Sequence, residues 1–295
     1  MPNPLYELAG IWISRRARPD PAALARAAGL SPAALVTGGS RGIGLALALR
    51  FAQAGTHTIV LVARDLTALE RAARSITQKY SANVIVLPLD ITSDEAPARI
   101  DAELARHTLY LDYLVNSAGI GLSGPYHSHS EQKIDELIAL NMSALSRLMR
   151  WALPGMRARG RGGILNVASL GGFVPGPHQA LYYASKAFVI SLTEAVAHEI
   201  GGDGVRISVV APGPVDTRFH EAMGADNALY RFLLPQRSAE MVARSAYRGL
   251  MLGRVVVVPG VFEAISAAAL RIVPHTLTIP IIGTLLEQPD KPSRK

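Results

Sequence analysis

Residues 33–37 form a short apolar run that breaks into Gly38, Gly39, Gly42 and Gly44, and from residue 43 to 54 the apolar positions recur at helical spacing. No other feature constrains the fold as tightly. A run too short for a helix, a turn where glycine opens backbone conformations closed to other residues, and a helix directly after it make half of a βαβ unit. The rhythm continues with a strand-like run at 58–63, a helical stretch at 66–79 and a third strand at 84–89. Thr92 and Glu95 have the spacing of a capping box that opens a helix running to Arg106. Further strands are expected at 112–116, 163–167, 205–211 and 255–258. Helical stretches separate them at 131–156, at 182–200 and from the cap residue Ser238 to 250. Alternation at this spacing requires a parallel sheet covered on both faces, with right-handed crossovers. The expected fold class is α/β, a doubly wound parallel sheet in one domain at 33–259, with an extension before it, 1–32, and another after it, 260–295.

One connection departs from the rhythm. Residues 212–237 span a length that, inside a compact domain, marks a lid or a binding loop.

Composition narrows the chemistry. Cysteine is absent from all 295 residues, which excludes disulfides, thiolate nucleophiles and cysteine-ligated metal sites. Hydrophobic residues at 49% against 18% charged residues exclude global disorder. A net charge of +7 raises the question of nucleic acid, and its densest cluster is Arg147, Arg150, Arg157, Arg159 and Arg161. No nucleic-acid motif accompanies the charge, so this cluster reads as a solvated helix end. At the N-terminus Arg15, Arg16 and Arg18 follow the apolar stretch rather than precede it, the wrong order for a secretory signal. The expected location is cytoplasmic.

The glycine turn carries the first functional signal. Gly38, Ser40, Arg41, Gly42, Ile43 and Gly44 lie at G-x-x-x-G-x-G spacing between the first strand and the first helix, where a pyrophosphate can approach backbone N–H groups and a helix N-terminus. About 20 residues further on, where a carboxylate would bind a ribose 2′-hydroxyl, the chain reads Val62, Ala63, Arg64. Arg64 with Arg41 would instead form a fork for a 2′-phosphate. The expected cofactor is thus NADP(H) over NAD(H), with Asp65 as the ribose ligand of the alternative reading. A second constellation is Tyr182 and Lys186, four residues apart on one helical face. A nearby ammonium lowers a phenol's pKa and makes it a usable acid or base.

Taken together these residues resemble the short-chain dehydrogenase/reductase superfamily over residues 33–259, in its short, non-extended branch. Thr37 to Gly44 match its T-G-x-x-x-G-I-G turn, and Asn116, Ser117, Ala118 and Gly119 match N-N-A-G with serine at the second position. The resemblance implies a Rossmann-type fold with Asp90 and Ile91 beside the adenine, and Pro212, Gly213, Val215 and Thr217 closing over the nicotinamide. It implies Asn141, Ser169, Tyr182 and Lys186 as the catalytic set, with no metal. Tyr182 would donate a proton to a developing alkoxide and Ser169 would bind the same oxygen. Lys186 would depress the tyrosine pKa and hold the nicotinamide ribose, while Asn141 anchored a relay water. A small-molecule carbonyl or secondary alcohol is the implied substrate, and a homodimer or homotetramer the implied assembly.

Residues 120–126, 170–178 and lid positions Phe219, Met223, Tyr230, Phe232, Leu233 and Leu234 are largely apolar. They fit a hydrophobic ketone, aldehyde, steroid-like or 3-oxoacyl substrate, or else they pack the lid. The apolar extensions, Leu5, Leu8, Trp12 and Ile13 ahead of the core and 261–286 behind it, are read as pocket cover, subunit contact or peripheral membrane contact. A non-catalytic NADP(H)-binding sensor or scaffold is the rival to an enzyme.

Overall fold

Burial of the first strand on both faces sets the architecture. Along β1 (Ser31–Thr37) Ala33 and Leu35 point into one core while Ala34 and Val36 point into the other, and all four are fully buried. That two-sided apolar alternation belongs to a central strand of a parallel sheet. The structure, a computed structural model, describes residues 19–225, 228–233 and 235–287, without the side chain of Phe232. The readings of Leu5 to Arg18, of the Phe232 side chain and Leu234, and of the last eight residues lie outside that description.

A short helix, α1 (Pro21–Ala27), precedes β1; then come α2 (Gly42–Gln53), β2 (Thr58–Ala63), α3 (Leu66–Lys79), β3 (Asn83–Pro88), α4 (Ala96–Arg106) and β4 (Leu109–Asn116). After α5 (Glu131–Ile138) and α6 (Leu145–Arg159) follow β5 (Gly162–Val167), α7 (Ala180–Glu199) and β6 (Val205–Val210). The described strands form a seven-stranded parallel sheet in the order β3-β2-β1-β4-β5-β6-β7, where β7 is Val256–Val257. The order reverses between β1 and β4, and a crevice opens there beyond the carboxyl ends of the strands.

Three expectations change. The Thr92–Glu95 capping box does not form: α4 begins at Ala96 without a side-chain cap, and the Thr92 hydroxyl instead donates to Asp90 Oδ1 at 2.7 Å. The Glu95 N–H that a Thr92 cap would engage donates to Ser93 Oγ at 3.2 Å instead. The helix expected at 131–156 is interrupted by a π-helical turn, Ala139–Ala144, before α6 continues to Arg159. The long connection 212–237 is partly ordered, with α8 (Phe219–Ala222), α9 (Tyr230–Leu233) and a bridge between Val215 and Arg237.

The arginine cluster is not simply a solvated helix end. Arg147 pairs with Asp94 at 2.8 Å, Arg157 with buried Asp203, and Arg161 makes a two-pronged contact with buried Asp112 at 2.8 and 2.9 Å. Arg159 donates to the Leu111 carbonyl and stacks over the Tyr110 ring. Arg157, Arg159 and Arg161 thus commit their charge to the end of the sheet opposite the crevice, whereas Arg147 bonds the segment just after Asp90.

Past α10 (Ala239–Met251) and β7, the chain closes with α11 (Val261–Ile272) and α12 (His275–Leu286). Glu263 on α11 is 2% exposed and takes a two-pronged contact from Arg237, at 2.7 and 3.1 Å, at the end of the lid connection. Leu286 on α12 joins a third apolar cluster above the sheet with Leu137, Tyr182, Met223 and Tyr230.

Candidate active site

The cleft beyond the strand ends encloses about 1890 Å³ and runs from the glycine turn to the inner face of α12. At one end Gly38 takes a left-handed φ of +64°, and a Cβ there would come within 2.9 Å of Ala118. Glycine thus lets the turn lie directly on the segment after β4. The Thr37 hydroxyl stitches the two together, accepting from the Ser117 and Ala118 N–H groups at 3.1 and 3.2 Å. This bonding runs through the backbone, which explains why serine can replace asparagine at 117. Asn116 donates to Asn166 at 2.9 Å, and Asn166 to Thr193 at 2.8 Å, a buried chain tying β4 to β5 and α7.

Helix α2 opens into the cleft with no side chain capping its N-terminus, and Ser40, Arg41, Gly42, Ile43 and Gly44 line the entrance. Free N–H groups at a helix start, flanked by Arg41 and Arg64, fit the diphosphate of a dinucleotide. Asp65 accepts from Ala68 N–H at 3.0 Å as the cap of α3, so one of its carboxylate oxygens serves that helix. Asp90 and Ile91 line the same end, and the bonds from Thr92 hold the Asp90 carboxyl below its ordinary range. Thr217 lies against Gly42, and the Pro212 carbonyl accepts from Leu170 N–H at 2.8 Å, which draws the 212–217 segment across the cleft.

At the other end Ser169, Tyr182 and Lys186 converge. Ser169 caps the turn after β5, accepting from Gly171 N–H at 3.2 Å, and its side chain stands near enough to the Tyr182 phenol to lower its pKa. Tyr182 and Lys186 are 9% and 7% exposed, one turn apart on α7. Burial pushes the Tyr182 phenol above its ordinary pKa, opposed by the neighbouring Ser169 side chain, and burial lowers the Lys186 ammonium to about 8. The sequence-based expectation that Lys186 depresses the phenol is not met in this geometry: its Nζ donates to the Val167 carbonyl at 3.0 Å, and desolvation governs both groups.

Asn141 is brought in by the π-helical turn. Its Oδ1 accepts from Ile120 N–H at 2.9 Å, and its Nδ2 donates to the Ile120 carbonyl at 2.8 Å and to Ser185 Oγ at 3.1 Å. Both amide hydrogens are engaged, so the side chain holds the loop after β4 in place.

Of the other cleft residues, Phe219 and Tyr230 are among the expected lid positions and the last helices lie in the stretch read as pocket cover, whereas His220 and Gln179 were not singled out in the sequence. His220 Nδ1 and the Tyr230 hydroxyl lie 2.8 Å apart inside the lid, and Phe219 packs against Tyr182 with ring centroids 5.5 Å apart. Leu270, Ile282, Leu285 and Leu286 complete the wall from the C-terminal helices, and Gln179 lines the cleft just ahead of α7. Only a three-dimensional arrangement brings these residues to Tyr182; no spacing in the sequence does.

The family model described as short chain dehydrogenase matches residues 32–228. The 2-(R)-hydroxypropyl-CoM dehydrogenase of Xanthobacter autotrophicus is 32% identical over 256 residues, covering 80% of this chain and 100% of that protein. A 3-oxoacyl acyl-carrier-protein reductase of Staphylococcus aureus is 34% identical over 194 residues, 66% of this chain and 78% of its own. Among solved structures, the short-chain dehydrogenase from Sphingobium yanoikuyae in complex with NADPH superposes with a TM-score of 0.71 at 30% identity, covering 81% of this chain and 93% of that one.

Proposed function

The chain belongs to the short-chain dehydrogenase/reductase superfamily and is a nicotinamide-dependent oxidoreductase, and from that premise we propose that it interconverts an apolar ketone or aldehyde and its alcohol with NADP(H). The observation that carries the reading is the meeting of Ser169 and Tyr182 beside Lys186 on the wall of one cleft. Two hydroxyls so placed can both reach one carbonyl oxygen.

The glycine turn, Arg41, Arg64, the Asp90–Ile91 pair and the 212–217 segment would hold the dinucleotide. When bound, the nicotinamide exchanges hydride with the substrate carbon. Arg64, with Asp65 serving α3, supports a 2′-phosphate. In reduction Tyr182 gives its proton to the oxygen as negative charge grows there, and Ser169 donates a hydrogen bond to that oxygen. A phenol held above its usual pKa is protonated at neutral pH, the form this step needs. Lys186, held by the Val167 carbonyl one turn from Tyr182, would bind the nicotinamide ribose. Asn141 positions the loop at Ile120 beside them. Phe219, Met223, Leu285 and Leu286 select an apolar substrate by excluding water from the lid side.

The test follows absorbance at the reduced-nicotinamide band over a panel of ketones, aldehydes and alcohols. Turnover should occur with NADPH at a higher kcat/KM than with NADH. Tyr182→Phe should lower kcat by roughly 10²- to 10⁴-fold with an unchanged melting temperature. Equal rates for the variant and the wild type would remove Tyr182 from its role.

A further inference from the structure

Gln179 stands at the N-cap of α7, three residues before Tyr182, and lines the cleft. Its position calls for a cap, yet it makes no cap hydrogen bond; glutamine is also not among the side chains that cap well. The residue is 3% exposed, and its buried Nε2 has no hydrogen-bond partner. A buried amide donor left unpaired is unfavourable, and native structures keep few of them.

The backbone beside it carries a second unfavourable feature. His178 is held at φ +62°, in the left-handed region, where its carbonyl accepts from Gly124 N–H at 2.7 Å. Pro177, one residue earlier, lies against Gly283 of α12. The segment is therefore clamped between the loop after β4 and the last helix, in a conformation the local sequence does not favour. Strain and an unpaired donor at one point, next to the phenol, indicate a group preorganised for a ligand.

This inference rests on the oxidoreductase reading above and deepens it. We propose that Gln179 is the specificity-determining donor of the cleft, its amide N–H binding a second, uncharged oxygen of the substrate near the carbonyl that accepts the proton from Tyr182. The class of substrate is then an oxygen-bearing ketone such as a keto ester, a keto thioester or a hydroxy ketone. Leu170, Val174 and Tyr183 in the adjoining wall carry no charge, so a neutral oxygen can be buried there without a counter-ion.

Two ketones of equal chain length separate the donor's effect from packing: ethyl acetoacetate, with its ester oxygens, and 2-heptanone, without them. With NADPH, Gln179→Leu and the near-isosteric Gln179→Glu should each lower kcat/KM for ethyl acetoacetate by ~10- to 100-fold, mainly through KM. Their values for 2-heptanone should stay within about threefold of wild type. Melting temperature and NADPH affinity should be unchanged. Equal losses on both ketones, or no loss on either, would overturn the proposal. Binding of the same two compounds to the NADP-loaded protein, followed by ligand-observed NMR, is the arm independent of turnover. Weaker binding of the ester alone in both variants supports the proposal even if no carbonyl is reduced. Unaltered binding overturns it, whereas absent turnover with either ketone or its alcohol overturns only the oxidoreductase reading.

Discussion

Lys186 is an ammonium that folding takes out of water, with the Val167 carbonyl as its hydrogen-bond acceptor, and its ionisation records the consequence. Its pKa is about 8 in the folded chain against 10.5 for an ordinary lysine, so between those values the unfolded chain binds the extra proton. Stability from this group is full above pH 10.5 and is lost as pH falls through 8. Chemical denaturation of wild type and Lys186→Met at pH 7.5 and 9.5 should show the wild type gaining ~2 kcal/mol relative to the variant at the higher pH. A flat difference would mean that the ammonium is hydrated. The raised phenols of Tyr182 and Tyr183 act in the opposite sense only above pH 10, outside this window. The pair Tyr182 and Lys186 was legible in the sequence because four-residue spacing is a local fact. Its protonation was not, because Phe219, Met223 and Leu286, the side chains packed on Tyr182, come from 37 to 104 residues beyond it along the chain.

At the level of elements, the strands and most helices could be read from periodicity, since burial on alternating sides of β1 and on one stripe of α3 leaves a pattern in the residues themselves. The π-helical turn left none: an apolar stripe over 131–156 looks the same whether the helix is continuous or widened by one residue. The Arg237–Glu263 contact was equally hidden, as it joins the end of the lid connection to a helix beyond the last strand. The contact is asymmetric. Glu263 is almost fully buried, whereas the Arg237 side chain keeps 30% of its surface in water. Arg237→Ala should therefore cost more stability than Glu263→Gln, since the first strands a buried carboxylate whereas the arginine left by the second can hydrate. Urea midpoints would rank the two, and the reverse order would show that Glu263 reaches solvent without its partner.

Over the whole molecule, the C-terminal pair α11 and α12 has two apolar faces. The inner face carries Leu286, 2% exposed, into the cluster around Tyr182, while Ile265, Ile272, Leu277 and Ile281 are more than 60% exposed on the outer face. Leu286→Ala should cost 2–4 kcal/mol and raise KM for apolar ketones, whereas Leu277→Ser should leave thermal stability within about 0.5 kcal/mol. Equal melting temperatures for the two variants would mean that α12 does not close the cleft. The extension was legible as apolar, but its two faces were not, because they are defined by Pro177 and the lid rather than by its own pattern.

The widened turn at 139–144 has a consequence for how this chain can vary over evolution. Each residue of a helix advances the chain by about 100°. Deleting one residue there would restore regular winding but turn α5 about the axis of α6, swinging Asn141 away from Ile120. Substituting Asn141 removes its bonds to Ile120 and Ser185, whereas a change of length by a single residue misaligns the cleft wall as a whole. This stretch must therefore keep its residue count as well as its asparagine.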